Sequence, residues 1–491
     1  MNQIKKLAGQ TAIYGLSSIL GRVLNYLLVP LYTREYLKTE YGVVIEMYAY
    51  VALLIIILTY GMETAYFRFA QTENDQKKVF STAMGSLLLS SLIFLGLAIG
   101  FAGPVASLLD YPENKEYVVW FAMIVAFDAI TSIPFAKLRQ ENKATAFATI
   151  KLINIAVYIG LNLLMILAAP YIFRSDLGMQ GGLMDLRPGI GYIFIANLIS
   201  SGVTLVLVLP VMAKMKLRVD WHLWKRMIGY ALPLLVMGVA GSINETMDRP
   251  LLKYLLPGSL EERLAEVGVY GACYKISILI SLFIQAFRYA AEPFFFSHAK
   301  TTNSRQTYAD VMTYFSAVCG LIFVAIMVNM SAVKYFIGPR FHVGLQVVPI
   351  LLIANIFLGF FYNLSVWYKL EEKTLYGARI AILGALITLV VNWYGIPRYG
   401  YMASAWATLA CYATMAIVSY AEGRKYFPVP YELTKILGYI GLALGLYGVH
   451  LCLPENTNFL GHLANTFLIF VYILVVAFTN KSLRRYLPGK A

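Results

Sequence analysis

Charged and strongly polar side chains recur at helical spacing inside stretches that are otherwise apolar. Arg22 lies in the middle of the first stretch, with Ser18 four positions before it and Asn25 three positions after it. These spacings put the three side chains on one face of a helix. Because an arginine inside a membrane must face a water-filled cavity or a partner, Arg22 predicts a site for an anionic cargo.

Two later apolar stretches carry similar polar faces. The fifth has Lys151, Asn154 and Tyr158 at spacings of three and four residues, and the eighth includes Gln285 and Arg288. Three polar faces are more than hydrogen bonding between membrane helices usually requires. They favour a shared hydrated cavity over purely structural contacts.

Asp128 and Lys151 stand on the fourth and fifth stretches, at about the same distance from the loop that joins them. An antiparallel hairpin brings the two side chains to similar depth, so the sequence predicts an ion pair. Such a pair either compensates two buried charges or takes part in handling substrate or protons.

Further charged side chains cluster near helix ends. Glu245 and Arg249 are four residues apart, which predicts a pair along the helix. The alternative for these groups is an ordinary solvated helix end, or a long side chain that extends to the membrane surface. The residues with an expected coupling or gating role are Glu63, Arg68, Asp128, Glu245, Asp248 and Glu292.

Enzymatic chemistry finds little support in the sequence. The five histidines fall in loops or near helix ends, without metal-ligand spacing or a nucleophile triad. The four cysteines show no paired spacing in an external loop, and no glycine-rich phosphate loop follows a strand. We therefore expect no metal, no cofactor and no enzyme activity.

The composition indicates which elements must position these residues. Apolar residues make up 59% of the 491 residues, charged residues make up 13%, and the mean hydropathy is +0.66. These values are typical of a polytopic membrane protein, and the continuously apolar stretches favour helices over strands. About fourteen spans are predicted, near 8–31, 42–62, 79–102, 116–136, 144–170, 189–211, 226–247, 268–294, 308–335, 344–367, 374–395, 399–420, 432–453 and 461–480.

The net charge of +14 is explained by membrane orientation rather than by nucleic acid. Basic residues concentrate in short loops on one side of the predicted topology, as the positive-inside rule requires. We therefore expect a multi-pass protein of the bacterial cytoplasmic (inner) membrane with both termini in the cytoplasm.

A weak internal repeat suggests two lobes. Pro30-Leu31 precedes Tyr41-Gly42, and Pro250-Leu251 precedes Tyr270-Gly271. Repeats of this kind are characteristic of transporters, whose cavity lies between two related bundles. The predicted division is an N-lobe of six helices at 1–211, a cytoplasmic linker at 212–225, a C-lobe of six helices at 226–425, and two final helices with a basic tail at 426–491. The connection near 250–267 is expected to hold only a short surface helix.

The two lobes and the segments Tyr41-Gly42, Gly61-Met62-Glu63-Thr64-Ala65 and Asp248-Arg249 resemble the polysaccharide flippases of the multidrug/oligosaccharidyl-lipid/polysaccharide exporter superfamily. The chain is most similar to the Wzx-type O-antigen and capsule flippases. That resemblance implies transfer of undecaprenyl-pyrophosphate-linked oligosaccharides from the inner to the outer leaflet, for surface polysaccharide or lipopolysaccharide. The family's cationic cavity corresponds to Arg22, with Lys151, Arg249, Lys275 and Arg288 as further positions.

Other functions remain open at this point. Lipid II flippases of the same superfamily also use cavity arginines, and multidrug extruders tend to use acidic cavity residues. Arg22 weighs against drug export, whereas Asp128, Glu245 and Asp248 keep that alternative open. A different class, a membrane-embedded glycan polymerase or acyltransferase, generally needs a large external loop or a buried histidine, and neither is visible. The expected partners are the polyprenyl-pyrophosphate-linked oligosaccharide and membrane lipid. Other polysaccharide-assembly proteins are compatible with this function, and no nucleic acid is expected.

Overall fold

The structure is a computed structural model that describes residues 20–21, 23–168, 189–213, 218–298, 304–371, 373–453 and 459–479. Every regular element in these ranges is helical. Within them, thirteen helical stretches are long and apolar enough to cross a membrane. The predicted all-helical polytopic class is therefore confirmed, while most of the predicted first span at 8–31 lies outside the described residues.

The chain divides into two compact units. The first contains the described residues of Met1–Tyr254 and Ser259–Gly268, and the second contains those of Leu255–Gly258 and Val269–Ala491. The helices before residue 256 are α1 (Val29–Glu35), α2 (Lys38–Thr59), α3 (Met62–Thr72), α4 (Gln76–Gly100), α5 (Ala102–Leu108), α6 (Lys115–Gln140), α7 (Ala144–Leu163), α8 (Gly191–Met212), α9 (Trp221–Thr246) and α10 (Asp248–Leu255).

The 39-residue helix α11 (Leu260–His298) begins in the first unit and continues in the second. The remaining helices are α12 (Ser304–Val328), α13 (Met330–Val333), α14 (Val348–Leu364), α15 (Val366–Leu370), α16 (Thr374–Tyr399), α17 (Tyr401–Tyr426), α18 (Leu433–Cys452) and α19 (Phe459–Thr479). Short 3₁₀ turns span Pro112–Asn114, Lys334–Phe336 and Pro339–Val347, and a π turn spans Leu164–Ala168.

Local sequence signals explain several helix boundaries. Tyr60 and Gly61 adopt left-handed backbone angles, with φ of 35° and 73°, and separate α2 from α3. The carboxylate of Asp220 accepts a hydrogen bond of 2.8 Å from the backbone N–H of Leu223 and so caps α9. Asp75 caps α4 in the same way through the N–H of Lys78, at 3.0 Å. Carboxylates at these positions satisfy N–H groups that have no partner within the helix.

Helix α9 was expected to open the second lobe, but it packs against α2, α3 and α4 within the first unit. The two compact units are defined by contacts within this conformation. The lobe boundaries derived from the sequence stay a prediction.

The prediction that the connection near 250–267 holds only a short surface helix is wrong. This connection contains most of α10 and the start of α11, and Leu252 and Lys253 of α10 are completely buried. This prediction failed because charged residues in this segment are also typical of a solvated loop.

A close backbone crossing joins α2 to the start of α11 inside the first unit. A Cβ atom added to Gly42 would lie 1.9 Å from the carbonyl oxygen of Leu264, and one added to Gly268 would lie 2.1 Å from that of Lys38. Both distances are far below any real contact of a Cβ atom. Glycine is therefore required at both positions by the approach of the two backbones.

Candidate functional site

A polar cavity of about 410 Å³ lies within the first unit. Helices α6, α7 and α8 supply most of its wall, and α3 contributes Glu63. The wall contains two carboxylates, Glu63 and Asp128, and two cations, Arg139 and Lys151. A cavity of this size and polarity holds several water molecules.

Asp128 and Lys151 both line this polar cavity, but they do not form the ion pair that the sequence predicts. The Asp128 carboxylate accepts a hydrogen bond of 2.9 Å from the Ser201 hydroxyl. The Lys151 ammonium lies 4.4 Å from the centroid of the Phe135 ring, and no carboxylate of the described residues pairs with it. Asp128 thus contacts Ser201, and Lys151 contacts Phe135. Because the Lys151 ammonium also lines the cavity, an anion there can reach it.

The other two charged groups of the cavity are paired with each other. Arg139 of α6 forms a salt bridge with Glu63 of α3, and its guanidinium also lies 5.0 Å from the Phe67 ring. Arg139 was not among the predicted cavity residues. Its position within the last turn of a long apolar helix was the only available signal.

The polar face predicted on α7 makes contacts along its length. Asn154 donates hydrogen bonds to the Ser200 carbonyl at 3.0 Å and to the Thr204 hydroxyl at 2.8 Å. The Tyr158 hydroxyl lies 3.1 Å from the Tyr32 hydroxyl, farther along the same helix. Lys151 and Asn154 thus line the polar cavity, while Tyr158 joins α7 to α1. A role for these residues in substrate binding stays a prediction.

None of the remaining predicted substrate-binding residues that the structure describes lines this cavity. Ser18 and Arg22 lie outside the described residues, and Asn25 is exposed. In the second unit, Lys275 and Gln285 are half-buried on α11, and the Arg288 guanidinium lies 4.7 Å from the Tyr362 ring.

Among the predicted gating residues, only Glu63 and Asp128 line the polar cavity. Arg68 is exposed, with its guanidinium 4.3 Å from the Tyr230 ring. Glu292 belongs to α11, but its side chain lies outside what the structure describes.

The predicted pair of Glu245 and Arg249 side chains is replaced by two other contacts. Arg249 donates to the backbone carbonyl of Glu245 and forms an ion pair of 3.1 Å with Asp248. The Glu245 carboxylate is exposed. Water solvates that carboxylate well, so the buried guanidinium pairs with the neighbouring buried Asp248 instead.

A second group of charges in the first unit shares no lining residue with the polar cavity. Lys253 of α10 and Glu46 of α2 are both 0% exposed and form an ion pair of 3.0 Å. The Lys253 ammonium also lies 3.6 Å from the Asp110 carboxylate and donates to the carbonyl of Leu109.

Tyrosines complete this group. The Tyr50 hydroxyl donates to one Glu46 oxygen at 2.7 Å, and the Tyr111 hydroxyl donates to the other. Burial raises the pKa of Tyr111, and the nearby Glu46 carboxylate raises it further, so this phenol remains a donor. We call Glu46, Tyr50, Asp110, Tyr111 and Lys253 the buried ion cluster.

The sequence analysis missed the buried ion cluster, although one signal was present. Glu46 lies in a stretch that is otherwise apolar, and an intramembrane carboxylate needs a partner. Nothing in the sequence identified Lys253 as that partner. Among the described residues, no three His, Cys, Asp or Glu side chains gather as a metal site would require.

Comparison with solved structures identifies the fold. The chain resembles the lipid II flippase MurJ in an inward closed conformation, with a TM-score of 0.72 at 13% identity, covering 95% of this chain and 99% of that one. It also resembles a multidrug resistance MATE family transporter of the MOP superfamily. For the inward-facing conformation, the TM-score is 0.60 at 14% identity, with 84% of this chain and 94% of that one covered. For the outward-facing conformation, the TM-score is 0.57 at 15% identity, with coverage of 85% and 94%.

Identities this low establish the fold and no more, and a comparison with curated protein sequences gives no match. The family comes from a family model described as polysaccharide biosynthesis protein, which matches residues 7–299. The predicted family resemblance is confirmed by this family model, and the predicted fold is the one that these solved structures share. The chain therefore belongs to the polysaccharide biosynthesis protein family and is a multi-pass membrane protein with the fold of the MOP superfamily transporters.

Proposed function

We propose that the protein is a flippase for lipid-linked oligosaccharides in surface polysaccharide biosynthesis. It moves undecaprenyl-pyrophosphate-linked repeat units from the inner to the outer leaflet of the bacterial cytoplasmic membrane. The observation that carries the proposal is the polar cavity with the Lys151 ammonium, which forms no salt bridge with a carboxylate of the described residues. Family and fold support it.

The cargo explains why a cation is needed in this cavity. A pyrophosphate headgroup carries about two negative charges and is costly to desolvate unless cationic donors replace its water. Lys151 supplies one compact positive charge, and Arg22 is proposed as the second. Asn154 lines the same wall, where its amide donates to Ser200 and Thr204.

Transport proceeds by alternating access in this proposal. The headgroup and glycan enter the inward-open cavity, the polyprenyl tail stays in lipid, and a lobe movement then opens the site outward. With the cell interior negative, outward movement of anionic charge is downhill by about 2.3 kcal/mol per charge per 100 mV. Protonation of Glu63, Asp128 or Glu292 resets the empty carrier. Both termini are placed in the cytoplasm, following the distribution of basic loops.

Two other cargoes each have an observation in their favour. The resemblance to a lipid II flippase covers nearly all of both chains. The carboxylates of Glu63 and Asp128 in the polar cavity favour a cation-coupled multidrug extruder. We place both after the oligosaccharide because the family model describes polysaccharide biosynthesis.

The test is a deletion strain analysed for polyprenyl-linked oligosaccharides by mass spectrometry, together with its surface polysaccharide. Build-up of a complete repeat unit with loss of surface glycan is expected. Build-up of lipid II instead favours the peptidoglycan precursor as cargo. An unchanged lipid-linked pool with increased sensitivity to cationic drugs favours the extruder.

Complementation with point variants tests the cavity assignment. Lys151→Gln is expected to abolish export while the protein still reaches the membrane, and Lys151→Arg is expected to retain part of it. Lys115→Gln is the matched control, because Lys115 is exposed at the start of α6 and does not line the polar cavity. Normal export by Lys151→Gln at equal protein level would contradict the cavity assignment.

A further inference from the structure

A second and larger cavity opens at one membrane face of the first unit, with a volume of about 1140 Å³. The ends of α3, α4 and α6 form its wall, together with residues 218–222 at the start of α9. Four cations and three carboxylates line it. We call this cavity the basic bowl.

Two of the three carboxylates of the basic bowl form salt bridges, and the third, Asp75, accepts a hydrogen bond of 3.0 Å from the backbone N–H of Lys78. Asp220 pairs with Lys78 at 2.6 Å as well as capping α9. The backbone N–H of Leu223 and then Lys78 lower the pKa of Asp220 to about 2, so that it stays ionised and paired at neutral pH. Glu141 pairs with Lys143 at 2.6 Å and approaches Lys137 at 3.9 Å.

Two cations of the basic bowl remain without a carboxylate. Lys77 and Arg218 are both exposed, and neither forms an ion pair with a described residue. They stand at different elements, the start of α4 and the segment before α9, and both line the same cavity. An anion in the basic bowl therefore meets two cations that form no salt bridge with a carboxylate of the described residues.

Aromatic side chains set the depth of the basic bowl in the membrane. Trp221 lines it, is 60% exposed, and is the first residue of the membrane-spanning helix α9. Its ring lies 5.3 Å from that of Trp224, the next aromatic residue one turn on. Tryptophan is enriched at the boundary between membrane and water. The basic bowl accordingly lies at the level of the lipid headgroups.

We infer that the basic bowl binds the phosphate of an anionic phospholipid headgroup, with Lys77 and Arg218 as the cations that hold it. Clusters of Lys and Arg at the ends of membrane helices attract anionic lipids through charge, and cavities between helices add selectivity for the headgroup. This site is separate from the polar cavity, and its occupancy does not depend on which cargo is transported.

The test uses native mass spectrometry of the purified full-length protein with phosphatidylglycerol, phosphatidylcholine or free glycerol phosphate. Preferential retention of phosphatidylglycerol is expected. Lys77→Gln and Arg218→Gln should each weaken that retention by roughly fivefold, and the double variant by roughly twenty-five-fold. Lys225→Gln is the matched control, because Lys225 is exposed on the first turns of α9 but does not line the basic bowl. It should bind like the parent protein.

Three results would overturn the proposal. Equal retention of phosphatidylcholine excludes recognition of the anionic headgroup. Competition by free glycerol phosphate at the same concentration shows that the site takes soluble phosphate rather than lipid. An equal loss in Lys225→Gln shows that the attraction is spread over the surface and that the basic bowl has no special role.

Discussion

The polar cavity and the buried ion cluster are both places in the first unit where charges leave bulk water, and they are built in opposite ways. In the buried ion cluster, both oxygens of Glu46 accept hydrogen bonds, and the Lys253 ammonium has Glu46, Asp110 and the Leu109 carbonyl around it. In the polar cavity, Asp128 and Lys151 face open volume and do not pair with each other.

This contrast separates structural charges from charges available to a ligand. The desolvation free energy of two buried charges is offset by their attraction only when the geometry is good and the remaining donors and acceptors are satisfied. In the buried ion cluster, groups of the protein satisfy the charges, so no charged group is left to bind a ligand. In the polar cavity, the charges are satisfied only when water or a bound anion is present. We therefore expect the first to control stability and the second to control transport.

The largest effect is expected from Lys253→Met, which leaves the Glu46 carboxylate buried without its cation. The free energy of unfolding should fall by about 3–5 kcal/mol, measured by thermal unfolding in detergent micelles. The double variant Glu46→Gln, Lys253→Met should recover most of that loss, since both fully buried charges are removed and the remaining Asp110 side chain is 41% exposed. A loss below about 1 kcal/mol in the single variant would show that water reaches the cluster, because exposed ion pairs contribute only this much.

Gly42→Ala should have the next largest effect. The new methyl group would overlap the Leu264 carbonyl, so α2 and α11 must separate beside the buried ion cluster. Overpacking of this kind typically costs about 1–3 kcal/mol. Gly96→Ala on α4 is the matched control, since an added Cβ atom meets nothing within 4 Å there. Equal unfolding temperatures for the two variants would mean that the crossing adapts without cost.

Lys151→Gln should change the free energy of unfolding by less than about 1 kcal/mol, because Lys151 forms no salt bridge with a described carboxylate that its loss would leave unpaired. Transport should nevertheless be lost. In Lys151→Gln, the loss of export should therefore exceed the loss of stability, whereas the main effect of Lys253→Met should be on stability. A destabilisation as large as that of Lys253→Met would make Lys151 a structural charge and remove the contrast.

The smallest effect concerns Asp220, a solvent-accessible carboxylate whose pKa is lowered from 3.8 to about 2 by the Leu223 N–H and then by Lys78. A depressed pKa stabilises the folded state above pH 3.8, and this contribution is lost as the pH falls towards 2. The difference in unfolding temperature between parent and Asp220→Asn should therefore be constant near neutral pH and vanish in acid. A difference that persists at pH 2 would assign the effect to another contact.

The polar face of α7 shows how far prediction from sequence reached. The spacing of Lys151, Asn154 and Tyr158 is local, and the structure does turn all three side chains towards polar neighbours. The partner of Lys151 was predicted wrongly, because equal depth on a hairpin does not say which of several side chains fills the space between two charges. Asp128 accepts from Ser201 and Lys151 lies over the Phe135 ring, and no spacing rule identifies these partners.

The sequence by itself determined the helical, membrane-spanning class, since run length and apolar character decide whether a segment can cross a bilayer while satisfying its own backbone hydrogen bonds. Glu46 stands in an otherwise apolar stretch of the sequence, but it was not among the predicted site residues. Only the tertiary structure decided that its partner is Lys253, that Arg139 closes on Glu63, and that Gly42 meets Leu264. Each of these contacts joins residues far apart in the chain, and their pairing depends on how the helices pack rather than on any local pattern.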